Sequence, residues 1–375
     1  MVTIKEVTTK RELRRFVTYP GKLYRDCPQF VPSMYGDDIA NWNKKKNPAF
    51  AYCEAKCFLA YRDGQIVGRI AAILSHKANE TWGQNRMRFS QVDFIDDPEV
   101  SSALFGAVEA YAKEKGCTEV HGPLGFTDLD PEGMLVEGFS ERNMFITYYN
   151  HPYYLTHLER LGYAKSVDWM EYKVFTPEKG SRQAAMLERV SNHVLKANHL
   201  RRAEVRSKRD FKPLIPKVFE LVNIAYAHLY GVVELSEEQI TRYANKFVPL
   251  INPKYTTFIL DEKDNLVAFG VTAPSMAAAL KRSRGKLFPL GWIGVLRALH
   301  KNTALDMFLI AVHPDLQSVG INAAIIDHIL KNAWENGIKY AETGPQLETN
   351  AKILSQWNIF DKEQHKRRRC FIKQL

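Results

Sequence analysis

Two stretches of this chain repeat one order of elements, and the repeat constrains the fold more than any other feature. Residues 58–68 read FLAYRDGQIVG and residues 258–268 read FILDEKDNLVA. Each is an apolar strand, a polar turn and a second apolar strand, with Asp63-Gly64 and Asp264-Asn265 at the turns of two β-hairpins. Further on, residues 103–123 (ALFGAVEAYAKEKGCTEVHGP) match residues 324–345 (AIIDHILKNAWENGIKYAETGP). Both read as helices with apolar residues at i, i+3/i+4 and i+7. Each closes at a glycine suited to the C′ position, Gly116 or Gly337, and runs into a short strand ending in Gly-Pro. The second copy carries a longer stretch between hairpin and helix. With 375 residues the chain has room for two such domains, since domains run roughly 100–200 residues. The expected division is residues 1–180 and 181–375, with the joint in the turn-rich and charged residues 176–212. Strands and helices in this order predict an α+β class with a mixed sheet in each domain.

Charge and composition narrow the partners. Lys and Arg total 52 against 42 acidic residues, a net charge of +10, which favours anionic partners such as phosphate-rich cofactors. The basic runs Lys44–Lys46, Arg201–Arg209, Lys281–Lys286 and Lys366–Arg369 are expected to be solvated loops or helix ends. No aromatics interleave with them as a base-stacking platform would need, so nucleic acid is not an expected partner. No apolar run reaches the roughly 18–20 residues that span a bilayer, and no apolar leader opens the chain. A cytoplasmic protein with no membrane partner is expected. The five cysteines are scattered, and Cys53 and Cys57 have no second pair to complete a zinc site, so neither a disulfide framework nor a metal is expected.

Chemistry concentrates in Asp306–Asn322, DMFLIAVHPDLQSVGIN. A buried-type strand leads through a Pro-Asp turn and a short polar loop to Gly320 and a helix start. Amides at a helix N-terminus have no intrahelical acceptor and lie at the positive end of the dipole, so they hold phosphate readily. Gly320 lets a ligand approach the backbone. An ordinary strand–turn–helix connection would have the same pattern.

Val312-His313-Pro314 followed by Gln317-Ser318-Val319-Gly320-Ile321-Asn322 resembles the acetyl-CoA signature of the GNAT acetyltransferase superfamily. The resemblance implies that Ile310 and Val312 pair through their backbone with the pantetheine arm, and that the amides from Gln317 to Asn322 hold the pyrophosphate. Asn322 departs from the usual Gly or Ala, and its side chain would either crowd the phosphate or donate to it. Over nearly its whole length the chain is similar to a bacterial family of tandem GNAT-like acetyltransferases. The stretches that carry this are Phe58–Ala72, Phe94–Val100, His121–Leu124, Leu135–Phe139, Tyr148–Tyr154, Gly285–Trp292 and Glu342–Asn350. That resemblance implies two tandem acyl-CoA N-acyltransferase domains, of which the first is degenerate. Where its cradle belongs stand Asp96, Asp97 and Glu99, which repel a pyrophosphate.

The expected reaction is acetyl transfer from acetyl-CoA to a small amine, amino acid or peptide by direct attack of the amine on the thioester. That needs a placed thioester, a base for the ammonium proton and an oxyanion donor. The amide of Ile310 or Ala311 is the candidate donor. Glu348 is the first candidate base and Glu342 the second, each also readable as a first-turn carboxylate. Asn350 matches a cofactor-side Asn of the superfamily and is equally a good N-cap. The resemblance implies a Tyr in the helix from Asn350 to protonate the departing thiolate; none follows there, which leaves Ser355, Tyr340 or water. Gly285–Trp292 either lines the acceptor site or packs as a seam, and Tyr226, Tyr230 and Glu234 precede the hairpin, where the resemblance to the superfamily implies acceptor contacts. A non-catalytic acyl-CoA-binding or scaffolding protein is the alternative; acyl transfer from aminoacyl-tRNA is a third reading that the CoA-type signature disfavours.

Overall fold

The computed structural model describes residues 1–375. In chain order its main elements are β1 (Thr3–Glu6), β2 (Cys53–Arg62), β3 (Gln65–Ser75), β4 (Arg86–Phe94), α1 (Pro98–Glu114), β5 (Glu119–Gly122), β6 (Met134–Glu137), α2 (Tyr153–Arg160) and β7 (Ala164–Phe175). There follow α3 (Arg182–Ala197), β8 (Arg201–Arg202), α4 (Ile215–Tyr226), α5 (Glu237–Phe247), β9 (Thr256–Leu260), β10 (Leu266–Pro274), α6 (Ala277–Ser283) and α7 (Gly291–His300). The last are β11 (Ala304–Val312), α8 (Ile321–Glu335), β12 (Tyr340–Thr343), β13 (Gln346–Leu347), α9 (Ala351–Ser355) and β14 (Lys362–Gln374). The chain divides into two compact units: Met1–Met170 with Ala277–Gly294 and Lys366–Leu375, and Glu171–Met276 with Val295–His365. Two segments of the first unit thus lie far beyond the division expected near residue 180.

In unit 1 the strands run β1-β2-β3-β4-β5-β14, antiparallel except for β4 and β5. Asp63 and Gly64, at φ 49° and 74°, close the β2–β3 hairpin in the left-handed conformation a two-residue turn demands. β3 is buried along nearly its whole length, as its continuous apolar run dictates. α1 packs on it at Gly68, where a Cβ would come within 2.6 Å of Leu104. The last strand supplies a correction. The run Lys366–Arg369 is not a solvated loop but part of β14: Lys366 and Arg368 are buried, Arg368 donates to the Tyr148 carbonyl at 2.6 Å, and Arg369 forks onto Asp168 at 2.8 and 3.0 Å.

Unit 2 runs β8-β9-β10-β11-β12-β7, with β11 and β12 as its parallel pair. The helix α8 lies on the sheet at Gly270, where a Cβ would come within 2.4 Å of Ile325, the same device as at Gly68. Arg202 ties α8 to α3 by donating to Asp327 at 2.9 Å, to Ser191 at 2.6 Å and to the Ala324 carbonyl at 3.0 Å. The two units repeat hairpin, central strand, helix and parallel strand in the order the sequence repeat requires.

The longer connection of the second copy is α6, α7 and the turn between them. Phe288 is 80% and Leu290 69% exposed, so these apolar side chains are not the packing seam that aromatic-rich composition suggests.

Candidate functional site

The site of unit 2 is built by a strand that loses its neighbour. β11 pairs with β10 all the way to Val312, but with β12 only from Ala304 to Met307. The last rung on that side is the Gly344 amide donating to the Met307 carbonyl at 3.0 Å. There β11 carries a bulge: Val271 faces Leu309 and Thr272 faces Met307, leaving Phe308 as the extra residue. A bulge adds twist and re-aims the strand beyond it. The His313 amide donates to Val267 on β10 at 2.8 Å, so by alternation Ala311 also faces β10, while Ile310 and Val312 face the open edge. Of the two candidate oxyanion donors, the Ile310 amide is therefore the one turned outward. Tyr226, at the end of α4, donates its hydroxyl to the Ile310 carbonyl at 2.8 Å.

Beyond Val312 the chain forms the cradle. Ser318 and Gly320 take positive φ, 74° and 89°, on either side of Val319, an alternation that gathers backbone N–H groups into an anion-holding concavity. Gly320 is the left-handed N-cap of α8 and has no side chain to satisfy the helix mouth. The first bond at this end is the Ala323 amide to the Gly320 carbonyl, 2.9 Å. The amides of Ser318, Val319, Gly320, Ile321 and Asn322 donate to nothing in the protein, and Ser318–Gly320 are exposed. Gln317 folds back, its Nε2 3.4 Å from the Val312 carbonyl, and its Oε1 accepts from Lys352 of α9 at 3.3 Å. Lys352 thus brings a positive charge to the cradle, a role with no signal in the sequence because it lies in another element. The Asn322 Oδ1 is buried with no partner.

The candidate bases separate. Glu342 stands on β12 beside Asp306 of β11, one residue before the last paired rung. Its Oε1 lies 3.5 Å from Nε2 of the buried His365. Ligand atoms of Glu171, Glu342 and His365 all fall within 4.8 Å of one another. Two carboxylates and an imidazole so close can share and pass a proton, and would equally suit a divalent cation. Neither Glu171 nor His365 stands out in the sequence, because β7 and β14 reach β12 only through long-range pairing. Glu348 lies between β13 and α9, half-buried. Asn350 is the N-cap of α9, its side chain accepting from the Ile353 amide at 3.2 Å, which is the capping role.

Unit 1 fills the same places with its own atoms. Its β4 carries the equivalent irregularity, with Gln91 at φ 42°, and pairs with β5 only from Arg86 to Arg88. At the end of β4 the Phe94 amide donates to Tyr154 at 2.9 Å, and its carbonyl accepts from Tyr153 at 2.5 Å. At the mouth of α1 the Asp97 carboxylate accepts from the amides of Glu99 and Val100 at 2.8 and 3.4 Å, and Pro98 offers no N–H. Arg62 bonds Asp97 at 2.6 Å and Glu99 at 2.8 Å. The Arg62 hydrogen bond is the main cause holding the Asp97 carboxyl down at about 2. A resident anion therefore occupies the helix mouth that stands free in unit 2.

No family model matches the chain. It is 27% identical to Protein YghO of Escherichia coli (strain K12) over 384 residues, covering 99% of this chain and 95% of that protein. It is 28% identical to the bacterial ceramide synthase of Caulobacter vibrioides over 298 residues, covering 79% and 76%. Among solved structures it is similar to a tandem GNAT protein from the clavulanic acid biosynthesis pathway, with TM-score 0.54 and 11% identity over 100% of this chain and 98% of that one. It is also similar to a GCN5-related N-acetyltransferase from Sphaerobacter thermophilus, with TM-score 0.52 and 9% identity over 100% and 95%. Two repeated units, the diverging parallel strands and these likenesses agree: the chain has a tandem GNAT-like fold.

Proposed function

We propose that unit 2 is an acyl-CoA-dependent N-acyltransferase and that unit 1 binds no CoA. The observation that carries this is the contrast between the two copies. In unit 2 five successive amides at the helix mouth and the outward amides of Ile310 and Val312 have no protein acceptor, whereas in unit 1 Asp97 takes the helix-mouth amides and Tyr154 takes the Phe94 amide; the strand carbonyls are occupied in both, by Tyr226 and Gln317 in unit 2 and by Tyr153 in unit 1. The CoA diphosphate would lie on the amides of Ser318–Asn322 with Lys352 beside it, and the pantetheine along Ile310 and Val312. The free amide run fits a diphosphate by its donor set. Asn322 would have to turn its Nδ2 donor, not its orphaned Oδ1, toward a phosphate oxygen.

For the chemistry, the Ile310 amide is the candidate oxyanion donor. Glu342 is the preferred base, because His365 beside it can take or return a proton; Glu348 remains the second. Tyr226 is the candidate acid for the departing thiolate, since its hydroxyl already sits on the open edge. The acceptor is an amine. A ceramide is an N-acylated long-chain amino alcohol, so similarity to the ceramide synthase favours a lipidic amine and a longer acyl chain over a small amine and acetyl-CoA. Thiol release with acyl-CoAs of increasing chain length, against a panel of amino acids, peptides, polyamines and long-chain amino alcohols, tests this. Amine-dependent release with matching amide product supports it. CoA binding without turnover on any amine would favour the scaffolding alternative.

A further inference from the structure

We propose that the turn and helix start Lys281–Trp292 dock the protein on an anionic phospholipid surface. Apart from Met1, no large apolar residue is as exposed as Phe288 and Leu290, and Trp292 and Leu296 are 43% and 46% exposed in the next helix. Exposed apolar side chains clustered in one short stretch mark an interaction site rather than incidental surface. Basic side chains flank them. Arg282, Arg284 and Lys286 are exposed before the turn, Arg297 and Lys301 after it. No hydrogen bond or ion pair to the protein takes up any of these five. No Asp or Glu occurs between Asp264 and Asp306, although the chain as a whole has 42. A cationic stretch free of carboxylates, with apolar residues at its tip, complements a negatively charged bilayer surface, where such side chains enter the headgroup boundary.

The turn is built rather than loose. The Trp292 indole donates to the Pro289 carbonyl at 2.9 Å, and its amide donates to Leu287 at 2.8 Å. Gly291 is required, since a Cβ there would come within 2.0 Å of the Lys286 carbonyl. At its base Gly285 takes φ 71°, where a Cβ would lie 2.5 Å from the Ser33 carbonyl, and Lys281 is held by the carbonyls of Cys27 and Pro28. The fold thus presents Phe288 and Leu290 at a fixed place while leaving them uncovered. The lack of a spanning run gives the expectation of no membrane partner, but lying on a bilayer needs no spanning segment. The inference stands on this surface alone and does not rest on acyl transfer.

Cosedimentation of the full chain with phosphatidylcholine vesicles, with and without phosphatidylglycerol, tests it. Binding is expected only with the anionic lipid and is weakened by salt. F288E/L290E abolishes it. Each cation at such a surface is worth about fivefold in affinity, so R282E/R284E/K286E should weaken binding at least roughly a hundredfold. Both variants should keep the parent melting temperature. Should F288E/L290E fail to fold, quenching of tryptophan fluorescence by bromine-labelled lipid, taken as the difference between the unaltered chain and W292F because the chain has six tryptophans, reads the insertion of Trp292. No vesicle binding, parent-like binding by either folded variant, or a parent oligomer that F288E/L290E turns into monomers overturns the proposal. The last result would make the patch a contact between copies.

Discussion

Gly320 offers the sharpest test of the cradle, because one methyl group must show its cost in one of two measurable places. In Gly320→Ala the added Cβ would meet Val194 at 3.4 Å and Val190 at 3.6 Å, ordinary contact distances. Space is therefore not the obstacle. The obstacle is φ 89°, which costs an L-residue about 1–2 kcal/mol. If the loop keeps its shape, the strain stays in the free protein and the melting temperature falls. A unit of this size loses about 2–4 °C per kcal/mol, so the fall is roughly 2–8 °C, with CoA affinity near that of the parent. If the loop relaxes to negative φ, stability returns, but the amides of Val319 and Gly320 turn away from the ligand. CoA affinity then falls by about tenfold or more, since 1.4 kcal/mol is a factor of ten. Gly320→Asn, which tolerates the left-handed region better, should lie between parent and Gly320→Ala in whichever quantity moves. Calorimetric melting and CoA titration read the two quantities. A Gly320→Ala protein unchanged in both would mean that the left-handed turn at Gly320 neither strains a side chain nor shapes a CoA seat.

Three further outcomes rest on the geometry. Glu342→Gln should lower kcat by about 10²–10⁴ while leaving CoA affinity intact, and Glu348→Gln should do little; the reverse order would return the base to Glu348. Asp97→Asn should destabilise unit 1 in a pH-dependent way. The Asp97 carboxyl is held down at about 2 in the fold, so its stabilisation is complete above the ordinary carboxylate value and is lost as pH falls toward 2. The melting gap between variant and parent should therefore be widest near neutrality and close between about pH 4 and 2; a gap that does not change with pH would contradict the Arg62 pairing. Asp93→Ala leaves Arg69, bonded at 2.7 Å and buried with it, without its carboxylate, holding only the neutral Phe16 carbonyl and Gln91. Removing one member of such a pair costs about 3–5 kcal/mol, which chemical denaturation monitored on unit 1 would read.

The parts legible in the sequence are those set by local pattern. Hairpin turns need Asp-Gly or Asp-Asn, helices need their 3.6-residue periodicity and a terminal glycine, and the cradle needs a glycine at a strand–helix junction. Asp63, Gly116, Gly337 and Gly320 all declare themselves this way. What stays hidden depends on pairing across long separations. The final residues from Lys366 join β5 and β6 of unit 1, and nothing local in KRRR distinguishes a buried strand from a solvated run. Arg368 is wholly buried because the Tyr148 carbonyl receives it, a partner 220 residues away. Glu171 and His365 meet Glu342 for the same reason. The helix mouth of unit 1 is half legible: by its charge Asp97 reads as repelling a phosphate, whereas in the fold its carboxylate accepts from the Glu99 and Val100 amides, and the Tyr153 and Tyr154 hydroxyls that bond the end of β4 give no signal of that role.

On the proposed function, one copy of the duplicated fold is open to CoA and the other is shut by its own side chains. Isothermal titration of the full chain with CoA measures this directly. Saturation at one CoA per chain is expected, with the site lost or weakened only by changes in unit 2. Two CoA molecules per chain, or none, would contradict it.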